Sequence, residues 1–456
     1  MRASLTNFTY FVQTFGCQMN KHDSERVSGM LDALGALCVP SLEEADIVVY
    51  LTCCVREAAD ERLYGQVSSM KNIELRPECP VRKRIVAIGG CIGQRDGVKL
   101  IEAMPHVDVV FGTNNLASLP SMLLEAIERG SHCCEVLEES KDFPTSLPQR
   151  REKAWSAWLP ITIGCNNFCS YCIVPYVRGR EKSRPLQDIV NEAQSYVSAG
   201  VKEITLLGQN VNSYGRDLYG EPRFIDVLRA LDETGIERLR FATSHPKDLS
   251  DEVIRAFAEL DSLMPALHLP VQSGSNRILS QMNRRYTREH YLELISKLRE
   301  ARPDIALSTD IIVGFPGETE EDFAQTYDLV KRVGYHQVFT FIYSRRAGTP
   351  AAELPANATR EEIQNRFDRL VDVVQEGAWT ANQASLGAVL PVLIEGTSKR
   401  KNELLVGKSP QNQTVHACIP HGETLGNLVG RIVNIRITEA KTWYLFGQVE
   451  DRAFHA

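Results

Sequence analysis

The chain has 456 residues, of which 43% are hydrophobic and 24% charged, and its formal net charge is −7. This length predicts two or three domains whose core is large enough to fold without disulfides. The composition excludes a low-complexity chain, and the acidic total argues against binding nucleic acid by bulk charge alone, which leaves local basic patches to be found.

We expect a cytoplasmic protein with no membrane contact. No run of about 18 apolar residues is present, and the first residues, MRASLTNFTYFVQTFGC, lack the basic and apolar regions of a signal peptide. In a reducing cytosol, the twelve cysteines favour metal binding or catalysis over a disulfide framework.

The first 130 residues alternate strands with helices, which predicts an α/β domain with a doubly wound parallel sheet over residues 8–128. The expected strands are Tyr10–Phe15, Asp46–Thr52, Arg84–Gly89 and Val107–Gly112, and the clearest helices are Ser24–Leu34 and Leu116–Arg129. Residues 138–153 are charged and contain two prolines, so they read as a linker.

Residues 151–381 form a second βα series with six expected strands. Six units predict a partial (β/α)6 barrel rather than the eight units of a closed barrel. The strands are Leu159–Ile163, Glu203–Leu207, Arg238–Ala242, Ala266–Val271, Ala306–Val313 and Gln337–Tyr343, with helices such as Leu186–Ala199 and Arg288–Glu300 between them.

The last part of the chain changes character. A linker at Arg345–Asn357 and a helix at Arg360–Gln383 lead into short β-prone segments. Their spacing predicts a small β-barrel over residues 384–452.

One group of cysteines stands on a single loop. Cys165, Cys169 and Cys172 have the spacing CxxxCxxC just after the first barrel strand. At that face of a βα barrel the strand ends build the active site. Three thiolates and no nearby fourth ligand suit a four-iron cluster with one open iron better than a closed zinc site.

A second group is scattered in sequence but follows three strands of the first domain. Cys17, Cys53 and Cys91 each stand directly beyond a predicted strand, where parallel strand ends line one crevice. We therefore predict a second cluster there, with Gly16, Gly89 and Gly90 giving it room. The six other cysteines are expected to be structural: Cys38, Cys54, Cys79, Cys133, Cys134 and Cys418. Cys54 is also a candidate ligand, because it adjoins Cys53. The pair Cys133–Cys134 is expected on a helix tail.

With these segments in view, the sequence resembles the methylthiotransferase family of radical-SAM enzymes along nearly its whole length. The matching segments include QTFGCQMNKHDSE, TCCVRE, GGCIGQ, GCNNFCSYCIVPYVRGREKSR, LLGQNVNSYG, TSHP, HLPVQSGS, MNRRYT and TDIIVGFPGET, and the C-terminal barrel looks like an RNA-binding TRAM domain. Two positions depart from the family: Leu51 replaces an asparagine and Cys54 a serine. Leu51 removes a possible hydrogen bond near a cluster, and Cys54 adds a possible ligand.

The resemblance implies two 4Fe–4S clusters and S-adenosylmethionine (SAM), which serves as radical source and as methyl donor. The GQNVN and MNRRYT segments resemble the branch that methylthiolates C2 of isopentenylated adenosine beside the anticodon of tRNA. The alternatives are threonylcarbamoyladenosine in tRNA, an aspartate of a ribosomal protein, or an RNA-binding protein that has lost turnover. An electron donor such as flavodoxin or ferredoxin is implied, and the protein is expected to be monomeric.

The sequence also indicates residues that contact the cofactor, the substrate or RNA. Seven are expected to contact SAM or the substrate, although a tight turn or a core position would explain them as well: Gly208, Gln209, Asn210, His268, Gln272, Asp310 and Gly314. Four basic residues after the cysteine loop are expected to contact RNA phosphates, the alternative being a solvated loop: Arg178, Arg180, Lys182 and Arg184. Trp443, Tyr444 and Phe446 are available for base stacking or for the core.

Overall fold

The computed structural model describes residues 4–54, 57–138, 147–398, 401–420 and 422–450. The chain divides into two compact units. The first contains residues 1–153 with 158–168 and 172–184, and the second contains 154–157, 169–171 and 185–456. Residues 139–146, half of the predicted linker at 138–153, and the end of the predicted 384–452 domain lie outside the described residues. None of the helices in the described ranges is long and apolar enough to cross a membrane.

The first unit contains a six-stranded parallel sheet with the order β2-β1-β3-β4-β5-β6. The short edge strands β2 and β6 were not predicted, and Cys133–Cys134 lie on β6 rather than on a helix tail. The elements are β1 (Thr9–Phe15), α1 (Gln18–Ala33), β2 (Leu37–Cys38), β3 (Ile47–Thr52), α2 (Glu57–Ser69), β4 (Ile85–Gly90), α3 (Cys91–Asp96), α4 (Val98–Ala103), β5 (Val109–Phe111), α5 (Leu119–Arg129) and β6 (Cys133–Glu135).

Helices cover both faces of this sheet, which confirms the doubly wound fold. Along β3, Val49 and Leu51 face the core beneath α1 and α5, whereas Val48 and Tyr50 face α2 and α4. Because successive side chains of a strand alternate between faces, a continuous apolar run buries both sides. The strand order reverses between β1 and β3, and such a switch point opens a crevice at the carboxyl ends of the strands.

The segment after the linker begins with β7 (Ser156–Pro160), followed by β8 (Thr162–Ile163), α6 (Val174–Val177) and β9 (Lys182–Ser183). The antiparallel pair β8–β9 brackets the cysteine loop. Ile173 and Val177 pack into the core of the first unit that contains Ile92 of α3. The residues just beyond CxxxCxxC are therefore anchored in the first unit.

Two further sheets have the orders β7-β10-β11 and β12-β13-β14, and a parallel bridge from Leu239 to Leu263 leads from the first of them toward the second. This is the expected open six-stranded barrel. Its elements are α7 (Leu186–Ser198), β10 (Glu203–Leu207), α8 (Arg216–Tyr219), α9 (Phe224–Asp232), β11 (Arg238–Phe241), α10 (Asp251–Glu259), β12 (Ala266–His268), α11 (Asn276–Gln281), α12 (Arg288–Ala301), β13 (Ala306–Val313), α13 (Glu320–Val333), β14 (Gln337–Ile342) and α14 (Arg360–Gln383).

The C-terminal part of the second unit is a closed five-stranded barrel with the order β15-β16-β17-β19-β18. Its elements are β15 (Val389–Ser398), β16 (Lys401–Lys408), β17 (Thr414–Cys418), α15 (Leu425–Leu428), β18 (Ile432–Ala440) and β19 (Leu445–Val449). Arg238 and Arg240 of β11 hold this barrel by donating hydrogen bonds to the carbonyls of Pro391, Lys408 and Ser409. A closed barrel leaves no unpaired strand edge.

Candidate active site

The three scattered cysteines of the first unit follow three adjacent strands. Cys17 caps α1 beyond β1, Cys53 follows β3, and Cys91 begins α3 directly after β4. A Cβ atom on Gly16 would lie 2.5 Å from Cβ of Cys53, so a glycine is needed for these two segments to approach this closely. The missing side chains of Gly89 and Gly90 instead admit the Phe111 ring and the Thr52 carbonyl, so those two glycines serve packing within the sheet.

The thiols of this group are hydrogen-bonded to one another. The Cys53 thiol is hydrogen-bonded with Cys17 and with Cys91, and the Cys54 thiol is hydrogen-bonded with Cys91. These bonds lower the pKa of Cys17 to about 6 and bring that of Cys91 well below its ordinary value, while they raise the pKa of Cys53 and Cys54. The thiols of the three strand ends therefore form one interacting group, and a thiol binds metal as its thiolate.

The two departures from the family pattern have separate explanations. Leu51 is 1% exposed and packs in the core beneath α1 and α5, so its side chain has a structural role. Cys54 is equally buried, but its contact with Cys91 adds a fourth thiol to the group.

The cysteines fit an iron–sulfur cluster better than a single metal ion. Within the described ranges, no three His, Cys, Asp or Glu side chains meet around one metal position, but in a cluster each thiolate binds its own iron. Nδ2 of Asn20 is buried and has no acceptor among the described residues; it lies beside Gly16. A cluster sulfide would supply that acceptor.

The basic run behind the cysteine loop is not uniformly exposed. Arg178 and Arg184 are 8% and 3% exposed, and they donate hydrogen bonds to Oδ1 of Asn20 and to the carbonyl of Pro160. Their RNA contact stays a prediction, and in this structure both guanidinium groups are buried and bonded within the protein. Arg180 is exposed and Lys182 is half-buried, and their RNA contact stays a prediction.

The CxxxCxxC motif lies on the loop between β8 and α6, as expected. Gly164 adopts φ +71°, and a Cβ atom there would lie 2.1 Å from the carbonyl oxygen of Arg180, so a glycine is required. The Cys165 amide donates to the carbonyl of Gly179 at 3.1 Å, and Sγ of Cys165 accepts from the Asn167 amide at 3.4 Å. These bonds fix the start of the motif.

The predicted residues after β10 lie beside the end of β11. The Thr243 hydroxyl donates to the carbonyl of Gly208 at 2.5 Å, and Nδ2 of Asn210 donates to Asp248 at 2.7 Å; Gln209 is half-buried. Three buried polar atoms here lack a partner in the part of the chain that the structure describes: Oδ1 of Asn210, Nδ2 of Asn212 and Oγ of Ser244. Such unsatisfied atoms fit a polar cofactor such as SAM.

The structure joins three of the other predicted residues. Nε2 of His268 lies 3.6 Å from the Asp310 carboxylate, and the Gln272 amide donates to the Asp310 carbonyl at 2.9 Å. Gln272 has φ +73°, a strained conformation for a residue other than glycine, and such strain is typical of functional sites. Gly314 lies beyond β13, where its amide donates to Glu318 at 2.7 Å.

Two residues at the barrel were missed by the sequence reasoning. Arg284 is buried, and its Nη1 lies 3.5 Å from both Sγ of Cys169 and the hydroxyl of Tyr171. Thr243 is β-branched yet has φ +64°, which is a rare conformation. Both belong to segments used for the family resemblance, MNRRYT and TSHP, but neither segment has a spacing that predicts a contact.

Comparison with known families covers the chain in three parts. Residues 9–112 match the uncharacterized protein family UPF0004, residues 159–330 the radical SAM superfamily, and residues 383–449 the TRAM domain. The radical SAM match identifies a SAM enzyme with a 4Fe–4S cluster.

Solved structures support the fold. The radical S-adenosylmethionine methyltransferase TsrM from Kitasatospora setae, solved with cobalamin and a [4Fe-4S] cluster, aligns with a TM-score of 0.53 at 14% identity, covering 76% of this chain and 74% of its own. At that identity the likeness concerns the fold alone.

Relatives share far more of the sequence. The tRNA-2-methylthio-N(6)-dimethylallyladenosine synthase of Thermoanaerobacter sp. (strain X514) is 46% identical over 97% of this chain and 93% of its own. That of Caldicellulosiruptor saccharolyticus is 47% identical with the same coverage. The chain therefore belongs to the radical-SAM methylthiotransferases, in the family of the tRNA-2-methylthio-N(6)-dimethylallyladenosine synthases.

Proposed function

We propose that this protein methylthiolates C2 of isopentenylated adenosine beside the anticodon of tRNA, with SAM as radical source and as methyl donor. Relatives at 46–47% identity over 97% of the chain carry the name of that reaction. The chain also holds both cysteine groups that a radical step and a sulfur insertion call for. C2 of adenine has no useful acid–base route at neutral pH, so the cofactors must supply the reactive species.

Cys165, Cys169 and Cys172 would hold the 4Fe–4S cluster that, with SAM, supplies a carbon radical. The residues around these cysteines would orient SAM and shield it from water. Arg284 donates toward Cys169, and the unpartnered atoms of Asn210, Asn212 and Ser244 offer polar contacts for SAM. His268 and Asp310, which contact each other, would border the adenosyl group or the substrate.

Cys17, Cys53 and Cys91 would hold a second 4Fe–4S cluster, which carries the sulfur. The observation that carries this proposal is that three thiols from three separate strand ends form one hydrogen-bonded group. Such a buried polar group is unfavourable unless its members are satisfied or coordinate a metal. The partial exposure of the group at Cys17 would let sulfur and substrate reach it.

The C-terminal barrel would bind the tRNA. Trp443 and Tyr444 are 53% and 39% exposed in the turn between β18 and β19, and exposed aromatic rings stack on unpaired bases. Phe446 is half-buried on β19, so the stacking proposal rests on Trp443 and Tyr444. Arg180 and Lys182 would meet phosphates nearer the cysteine loop.

The remaining partners follow from the reaction. Reductive cleavage of SAM needs an electron, for which a flavodoxin or ferredoxin is the expected donor. We expect a monomer that works in the cytoplasm, where tRNA is found.

Nucleoside mass spectrometry of bulk tRNA from cells with and without the gene tests the substrate. We expect the methylthio-isopentenyl nucleoside to vanish and the isopentenyl nucleoside to accumulate. A change confined to threonylcarbamoyladenosine derivatives or to a ribosomal protein would contradict the proposed substrate but would leave the proposed methylthiolation chemistry standing. If purified, iron-loaded protein given a reductant cleaves no SAM, the enzymatic proposal itself fails.

A further inference from the structure

Arg178 is a buried charged residue beside the cysteines of the proposed second cluster. It ends α6, six residues after Cys172, and its side chain is 7% exposed within the first unit. Its guanidinium donates a hydrogen bond to Oδ1 of Asn20 at 2.9 Å and another to Cys91. The neighbouring Cys17 lies near enough to attract it.

The carboxylate beside this guanidinium compensates its charge only weakly. The Asp23 carboxylate lies 3.7 Å away and is partly exposed, and Asn20 is neutral. A buried cation is costly unless a close anion and hydrogen bonds compensate it. Among the described residues, Arg178 is also hydrogen-bonded with Cys91 and lies near Cys17, and both sulfur atoms would be anionic when they bind iron.

We propose that Arg178 is the positioning residue and counter-ion of the second cluster, where it donates to the Cys91 sulfur and favours the more negatively charged, reduced state. This inference rests on the proposed second cluster. Hydrogen bonds to cluster sulfurs and local charge set the reduction potential of iron–sulfur centres. Placing this arginine just after CxxxCxxC means that one short segment serves both cysteine groups.

A structural explanation, in which Arg178 only joins α6 to α1, predicts something different. In that case its loss would lower stability without moving a potential. The chain offers a matched control in Arg84, which is also 8% exposed and, among the described residues, donates hydrogen bonds to backbone carbonyls, including those of Ala45 and Ile73. Arg84 directly precedes β4, whereas Cys91 directly follows it, so the two residues lie at opposite ends of this strand.

The test uses the full chain with Cys165, Cys169 and Cys172 changed to alanine, so that any remaining cluster signal comes from the second group. Arg178→Gln, Arg178→Lys and Arg84→Gln are compared in this background after iron loading. Electron paramagnetic resonance during a redox titration gives the midpoint potential. Thermal unfolding of the metal-free variants checks that each folds.

We expect Arg178→Gln to move the midpoint to a more negative value, by about tenfold in the reduction equilibrium, or 59 mV for a one-electron couple. Arg178→Lys keeps the charge but loses the planar guanidinium, so it should shift the midpoint potential less. Arg84→Gln should leave the midpoint potential unchanged. If Arg178→Gln does not fold, a smaller negative shift in Arg178→Lys supports the proposal, and an unchanged potential overturns it.

Two failures are distinguishable. A background protein that takes up no iron with Arg178 intact overturns the second cluster, and this inference with it. A loaded cluster whose potential is the same in all three variants, or moves equally in Arg84→Gln, overturns the role of Arg178 alone.

Discussion

The two cysteine groups reach their positions in opposite ways. Cys165, Cys169 and Cys172 share one loop, so their spacing alone brings them together. Cys17, Cys53 and Cys91 lie on three segments that meet because β1, β3 and β4 are adjacent and parallel. The first group could form wherever the loop is held, whereas the second requires the whole sheet.

Despite this difference, each group has a buried arginine from another part of the chain. Arg284 lies 3.5 Å from Sγ of Cys169, and Arg178 donates to Cys91. Neither arginine adjoins its cysteine in sequence. The comparison suggests that a local and a non-local thiolate group need the same compensation, a cation fixed by tertiary structure.

Loss of the cysteines should separate the two groups most strongly. We expect alanine at Cys17, Cys53 and Cys91 to abolish methylthiolation and to halve the bound iron, while SAM cleavage continues. Alanine at Cys165, Cys169 and Cys172 should abolish both, because radical formation precedes sulfur insertion. Iron assays, deoxyadenosine formation and nucleoside analysis measure the three properties.

If SAM cleavage were also lost when only the first-unit cysteines are changed, with the radical-SAM cluster still loaded, the division of labour between the groups would be wrong. Cys418→Ala is the matched control. It is an exposed cysteine of the C-terminal barrel, and its change should leave the iron content as it is.

Arg284→Gln should produce the next largest effect, on the first group alone. It removes charge-assisted bonds, each worth about 1.5–3 kcal/mol, so we expect SAM cleavage to fall about tenfold or more. The assay is deoxyadenosine formation at matched iron content. Arg285→Gln, which changes the exposed neighbour, should cleave SAM at the wild-type rate; equal losses in both variants would contradict a contact that acts through Cys169.

Trp443→Ala should change neither group and weaken tRNA binding. A stacked base contributes about 1–3 kcal/mol, so the Kd for tRNA should rise about tenfold while SAM cleavage without tRNA is unchanged. Fluorescence anisotropy with an anticodon stem-loop measures the binding. Trp379 of α14 is similarly exposed at 50% and serves as the control. If Trp379→Ala weakened tRNA binding as much as Trp443→Ala, the barrel turn would have no special role in binding.

Cys54→Ser should have the smallest effect. The serine hydroxyl can still donate to Cys91, so we expect the iron content and the resonance spectrum of the second cluster to stay as in the wild type. A loss of iron matching that of Cys53→Ser would show instead that Cys54 is a ligand and that the second cluster has four thiolates.

Several features followed from the sequence because they rest on local pattern. The continuous apolar run of Asp46–Thr52 indicated a strand buried on both faces, and CxxxCxxC indicated a radical-SAM loop. The six barrel strands were found within a few residues of their bounds. The edge strands β2 and β6 were missed because their two and three residues are too short for a periodic signal.

The placement of the basic residues could not be predicted in this way. Arg178, Arg180, Lys182 and Arg184 look alike as a sequence run, yet the structure buries Arg178 and Arg184, half-buries Lys182 and leaves Arg180 exposed. Burial depends on Ile173 and Val177 packing into the core beside α3, a contact between segments about 80 residues apart. No local pattern records such a contact.

The sequence by itself determined the fold class, the family and the six candidate cluster cysteines, because strand periodicity, motif spacing and strand-end position are properties of short segments. Only the tertiary structure decided which polar groups accompany them: Arg284 beside Cys169, Arg178 and Cys54 beside Cys91, and Leu51 in the core. The physical reason is that a buried charge or thiol is stabilised by whatever lies within a few ångströms, and those neighbours come from distant parts of the chain.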